Sequence, residues 1–156
     1  MRDVTLPARG IPPMLPEAID IVRALETDRM KQPQVTIEID QYVHAGIYYR
    51  TMFVPHIGRG TLITGVEVKL ATGLIISGDV TVFVGPPVGE IRVTGTNRLV
   101  QAGAGRKQAF ATHADTYVTM TFPTRATTTE QAEREFTDEV DLLTTRRENR
   151  GLKCLA

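Results

Sequence analysis

The sequence predicts an all-β domain with an amphipathic helix at each end. Short segments rich in β-branched and aromatic residues crowd the middle of the chain, turn residues break them apart, and apolar residues recur at helical spacing on both sides. Four parts follow: an extended Pro-rich arm (1–15), an N-terminal helix (16–33), a β-domain (34–124), and a C-terminal helix with a basic tail (125–156).

The arm holds Pro7, Pro12 and Pro13 with Gly10 among them, which denies it regular hydrogen bonding. Pro16 suits a first helical position because its missing N–H would have no intrahelical partner there. Leu15, Ala18, Val22 and Leu25, with Ile19 beside them, mark one apolar face, while Asp20, Arg23, Glu26 and Asp28 are expected to point elsewhere. Pro33 stops the helix.

Strands are expected at 35–39, 47–54, 61–70, 74–76, 79–84, 90–94, 108–112 and 116–122. Val35, Ile37 and Ile39 alternate with Thr36 and Glu38, and Val66, Val68 and Leu70 with Glu67 and Lys69. Turns are expected at Gly58 and Gly60, Ser77-Gly78-Asp79, Gly85-Pro86-Pro87, Gly95-Thr96-Asn97 and 103–105. A parallel sheet would need crossover helices between the strands, and none fits. The pattern is that of a β-sandwich or barrel.

Beyond the strands, Thr127 with Glu130, or Thr128 with Gln131, offers a helix cap. Ala132, Phe136, Val140 and Leu143 form the stripe behind it, with acids leading and Arg146 and Arg147 closing in accord with the helix dipole.

Composition sets the outer bounds. The 156 residues amount to one domain, and 42% apolar with 23% charged residues is a globular balance. Eighteen basic residues against eighteen acidic ones argue against a chain built to neutralise nucleic-acid phosphates. No apolar run approaches the ~18 residues of a membrane helix, and the first residues lack a signal-peptide apolar stretch. Cys154 is the one cysteine, so neither an intrachain disulfide nor a multi-thiolate metal site is available. The expectation is a soluble protein made in the cytosol.

The stretches 46–65 (GIYYRTMFVPHIGRGTLITG), 73–84 (GLIISGDVTVFV) and 105–124 (GRKQAFATHADTYVTMTFPT) resemble the small cupin-like proteins of bacteriophages and prophages. The match spans roughly 35–145. It implies a cupin-like jelly-roll and a phage setting. Where that family often keeps two histidines in the strand after its closing TG, this sequence has Val68 and Thr72, with Lys69 retained. Valine offers a metal no lone pair, so metal-dependent cupin activity is not expected, nor is any cofactor.

The remaining candidates are sparse. His44, His56 and His113 show no local ligand spacing, and His44 and His56 fall in expected turns. Arg50 alternates with Tyr49 on an apolar strand, so one of the two faces inward. An inward Arg50 needs a carboxylate or several carbonyls, and Asp115 or Glu67 could supply the partner. A functional version has Tyr49, Arg50, Lys69, His113 and Asp115 form a pocket for an anionic ligand at a barrel mouth. A structural version makes Arg50–Asp115 a buried pair. The glycine-rich, basic segment 102–107 lacks phosphate-loop spacing and a following helix, and reads as a flexible hairpin connection. Ser77, the sole serine, sits in an expected turn without a nucleophile-elbow frame.

The expectation for function is a non-enzymatic bacteriophage virion structural protein, either a capsid decoration or cement component or a tail-associated one. It would reside in the virion, contact other virion proteins and form a homo-oligomer, with Pro7, Ile11, Pro12, Pro13, Phe136, Arg146 and Arg147 as assembly contacts. The alternative is a phage-encoded small-ligand-binding or catalytic cupin.

Overall fold

The computed structural model describes residues 10–143. Pro7, Arg146, Arg147 and Cys154, with the rest of the basic tail, lie outside the described residues. The described part of the arm is held by its own domain. The Ile11 N–H donates to the Gln101 carbonyl, the Gly103 N–H donates to Ile11, and the Met14 N–H donates to Gly105.

Helix α1 (Pro16–Arg29) begins at its proline and ends four residues short of Pro33. Ala18, Val22 and Glu26 are its buried residues, one turn apart, so Glu26 lies on the apolar stripe instead of pointing away. Leu15 is the N-cap and exposed, outside the stripe that the spacing gave it.

Seven strands follow: β1 (Glu38–His44), β2 (Ile47–Val54), β3 (Leu62–Thr64), β4 (Thr72–Gly85), β5 (Gly89–Ala102), β6 (Ala109–Thr112) and β7 (Thr116–Pro123). β1 starts later than expected and runs through Gln41 to His44, because Ala45 and Gly46, both at positive φ, make the turn to β2. His44 therefore closes a strand. β3 is only three residues long; past Thr64 the chain leaves the ladder, and Val68 keeps a single bridge to Arg106. The expected turn at Ser77-Gly78-Asp79 is a bulge within β4, so Ser77 lies on a strand. Gly78 has φ +139°, and a Cβ there would come within 2.5 Å of the Asp115 carbonyl oxygen. β5 likewise runs through Gly95–Asn97, which the sequence marked as a turn.

The antiparallel sheet has the order β1-β2-β7-β4-β6-β3, with β5 also on β4. Residues 73–77 of β4 pair with β7, and residues 80–83 pair with β6. The long β4–β5 hairpin thus belongs to two half-sheets that curl toward each other. Leu74, Val118 and Met120 from one half and Ile63 and Phe110 from the other line the same interior. α1 covers the outer face of the second half, packing Met14, Ala18 and Val22 on Ala109, Leu62 and Phe83. Gly85 admits it: a Cβ there would lie 2.4 Å from that of Ala18.

Helix α2 (Thr129–Phe136) uses the second of the two possible caps. The Thr128 hydroxyl accepts from the Gln131 N–H at 3.2 Å, and the Gln131 side-chain Oε1 accepts from the Thr127 N–H at 2.8 Å. The helix ends at Phe136, so the rest of its stripe continues on a 3₁₀ turn (Val140–Leu142) and at Leu143.

Candidate functional site

The inward row of β2 is Tyr48, Arg50, Met52 and Val54, which settles the orientation of Arg50: it faces the interior. Its carboxylate partner is neither Asp115 nor Glu67. Arg50 Nη1 lies 3.6 Å from Glu133 Oε2, and donates to Gln41 Oε1 at 3.2 Å and to the Tyr48 hydroxyl at 3.4 Å. The guanidinium carbon stands 5.9 Å from the Phe136 ring centroid. Burial pushes the Tyr48 phenol upward, against the opposing pull of Arg50. Glu133 is buried on α2, where the sequence marks it only as one of the acids that complement the helix dipole.

The other expected pocket residues go elsewhere. Asp115 accepts from the His56 N–H at 2.7 Å, beside the far end of β2. Lys69 Nζ donates to Asp138 at 2.6 Å on the surface. Tyr49 stacks on Tyr42 across the outer face, with centroids 4.8 Å apart. His113 Nε2 meets the Thr81 hydroxyl at 2.7 Å, also in the open. Glu67 pairs with Arg23. The structure does not bring Tyr49, Arg50, Lys69, His113 and Asp115 together. Among the described residues, no group of three or more His, Cys, Asp or Glu is placed to hold a metal ion. Of the expected assembly contacts, Ile11 and Phe136 are spent in the chain's own core, Pro12 is half-buried and Pro13 exposed.

What the interior does contain is a cavity of about 130 Å³. Its walls are mainly aliphatic and aromatic, from both half-sheets, with Phe136, Leu142 and Leu143 across one side. Two cations enter the lining: Arg50, already paired, and Arg106.

Arg106 belongs to the segment read as a flexible hairpin, and that reading is overturned. Arg106 is 2% exposed and Lys107 0%. Arg106, Gln108 and Phe110 form an alternating row facing the cavity, and Lys107 faces the opposite way, toward α1. Arg106 Nη1 donates to the Leu70 and Gly103 carbonyls at 3.1 and 2.8 Å, and Nη2 to the Thr72 hydroxyl at 2.7 Å. No carboxylate reaches it among the described residues, and burial pushes its pKa down to about 10. Its Nε, the Gln108 Nε2 and the Thr64 hydroxyl are buried without a hydrogen-bond partner, and all three residues line the cavity. Thr72 stands at one of the two positions where the family resemblance implies histidine, and here it supports a guanidinium.

Lys107 has the opposite surroundings. Its ammonium donates to Glu26 and to Glu139, both at 3.0 Å. Glu139 also accepts from the Glu67 backbone N–H at 2.6 Å and pairs with Arg23. Burial alone would raise the Glu139 carboxyl, but the Glu67 N–H, Lys107 and Arg23 outweigh it and hold it below the usual carboxylate range.

No family model matches the chain, and no curated protein matches its sequence. Solved structures of similar shape exist, all at low identity. A cupin superfamily protein from Desulfitobacterium hafniense is 9% identical with TM-score 0.46, covering 60% of this chain and 82% of that one. The EutQ protein of Clostridium difficile is 12% identical with TM-score 0.45, covering 64% and 73%. The cupin domain of Schizosaccharomyces pombe Cnp3 is 11% identical with TM-score 0.44, covering 68% and 71%.

Proposed function

We propose that this chain is a non-enzymatic, cupin-like binding domain whose interior holds a small organic anion, most simply a short-chain monocarboxylate. The supporting observation is Arg106: a buried cation with no carboxylate partner among the described residues, whose Nε, like the Gln108 amide, has no hydrogen-bond partner, both residues lining an apolar cavity. An unpaired buried charge is costly, and a bound carboxylate offsets that cost with charge-assisted hydrogen bonds. A cavity of about 150 Å³ takes a benzene-sized molecule, so this one suits roughly six heavy atoms, the size of butyrate. Arg50 and Arg106 are the charged side chains of the lining, which holds no carboxylate, imidazole or thiol among the described residues, and that favours binding over acid–base chemistry.

The test is thermal unfolding of the full chain with butyrate, with butyramide as the uncharged control. Butyrate at a hundredfold excess over Kd stabilises by about 2.7 kcal/mol. That is a rise in Tm of several degrees, which Arg106→Met abolishes. No shift with butyrate or isovalerate, or an equal shift with butyramide, contradicts the proposal.

A second reading keeps the family resemblance at its word: a bacteriophage virion structural protein acting through subunit contacts. The fold neither requires nor marks a phage setting. What favours assembly is an outer sheet face with exposed Leu99, Tyr117 and Tyr42. The presence of the chain in purified phage particles tests it; absence from them removes it.

A further inference from the structure

The two outer faces of the curled sheet are treated differently. α1 lies on the half built from β3, β6 and the end of β4. Among the described residues, no helix covers the half built from β1, β2, β7, the start of β4 and the end of β5 in this way. Its outward rows follow from the register: Asp40, Thr51, Thr119, Ile75 and Leu99 lie side by side across five strands. Next to that row on one side are Tyr42, Tyr49, Thr121, Gly73 and Gln101. On the other, Phe53 packs on Tyr117, with centroids 4.8 Å apart. Leu99 is 70% exposed, Tyr117 53% and Tyr42 50%.

No outward side chain of β2, β7, the start of β4 or residues 99–101 of β5 in these rows is charged, in a chain with 23% charged residues. Charges appear only at the β1 margin, as Glu38 and Asp40. Exposed apolar residues gathered on one face mark a contact surface.

We infer that this face is the interface of a twofold homodimer, sheet packed on sheet. The reasons select a second copy over a foreign partner. An uncharged face brings no like charges together when it meets itself, and it gives an oppositely charged partner nothing to recognise. Five strands about 4.8 Å apart over some seven residues at about 3.4 Å cover roughly 570 Å² of flat footprint. The accessible surface of a studded face exceeds its footprint, which brings it near the ~800 Å² per partner of a standard interface. β7 is the central strand of the five and Thr119 the middle of its row, so the twofold axis passes beside Thr119. An axis along the strands sets β1 of one copy over β5 of the other and keeps Glu38 and Asp40 from meeting their own counterparts. The inference does not rest on the cavity reading, since a monomer could equally hold the ligand.

Sedimentation equilibrium of the full chain, at concentrations from 1 to about 100 µM, reads the outcome directly. The expected species is a dimer. Thr119→Glu should weaken it at least 100-fold while leaving the far-ultraviolet circular dichroism unchanged, and an equimolar mixture of Thr119→Glu and Thr119→Lys should restore it. Leu99→Glu, at an exposed site, serves in place of Thr119→Glu should that variant fail to fold. A monomeric wild type, or a dimer indifferent to these charges, overturns the inference; a wild-type monomer would leave the face to another protein or a lipid surface.

Discussion

Arg106 and Lys107 are neighbours in sequence, equally buried, and opposite in circumstance. Lys107 points toward α1 and meets two carboxylates, Glu26 and Glu139, tying the helix, the sheet and the 3₁₀ turn segment together. Arg106 points into the cavity and, among the described residues, meets only carbonyls, a hydroxyl and the Met120 sulfur. One cation has its charge balanced by the chain. The other is anchored in place with no counter-charge among the described residues, which a fold tolerates at a site where a ligand supplies the anion.

Four changes sharpen that contrast. Lys107→Met should have the largest effect on stability, about 3 kcal/mol, because it leaves buried Glu26 and half-buried Glu139 without their shared ammonium, with Arg23 left to compensate; urea unfolding measures it. Arg106→Met should change stability by only about 1 kcal/mol, since relief of an unpaired charge opposes the loss of its hydrogen bonds, yet it should abolish butyrate binding. A loss as large as that of Lys107→Met would show that Arg106 is structural.

Acid gives a third separation. Glu139 has a folded pKa below its unfolded one, so its stabilisation is fully present above the unfolded value, about 4.3, and is lost as pH falls through the folded value. Denaturant midpoints should fall from pH 5 to pH 3 in the wild type, and fall less in Glu139→Gln. The smallest effect belongs to Gln108→Leu. Removing a buried amide donor without a partner should leave stability within about 1 kcal/mol, and butyrate should bind roughly 2- to 10-fold more weakly, the worth of one hydrogen bond.

The strands and caps were legible because they rest on local rules. Enrichment in β-branched and aromatic residues located β2 and β7, and a threonine followed three residues later by an amide located α2. The bulge at Gly78 was not, because a glycine between polar residues looks the same in a turn and in a strand bent against Asp115 and Thr116. The site was harder. The strand showed that either Tyr49 or Arg50 faces inward without deciding which, and the partner of Arg50 came from α2, far along the chain. Glu26 lies four residues after Val22, and Glu133 three before Phe136. Both acids sit on apolar stripes, and that placement was the available signal of burial. For Arg106 the signal was its alternation with Gln108 and Phe110, masked by the glycines before it.

The central claim is that the Arg106 guanidinium receives an organic anion inside the barrel. Nitrogen-15 NMR of arginine side chains in the full chain tests this most directly, by following the Arg106 Nε–H resonance as butyrate is added. The account predicts a saturable shift of that resonance, matched by the Gln108 side-chain amide, with the Arg23 Nε–H unmoved. A folded protein whose Arg106 Nε–H stays in place throughout the titration would contradict it.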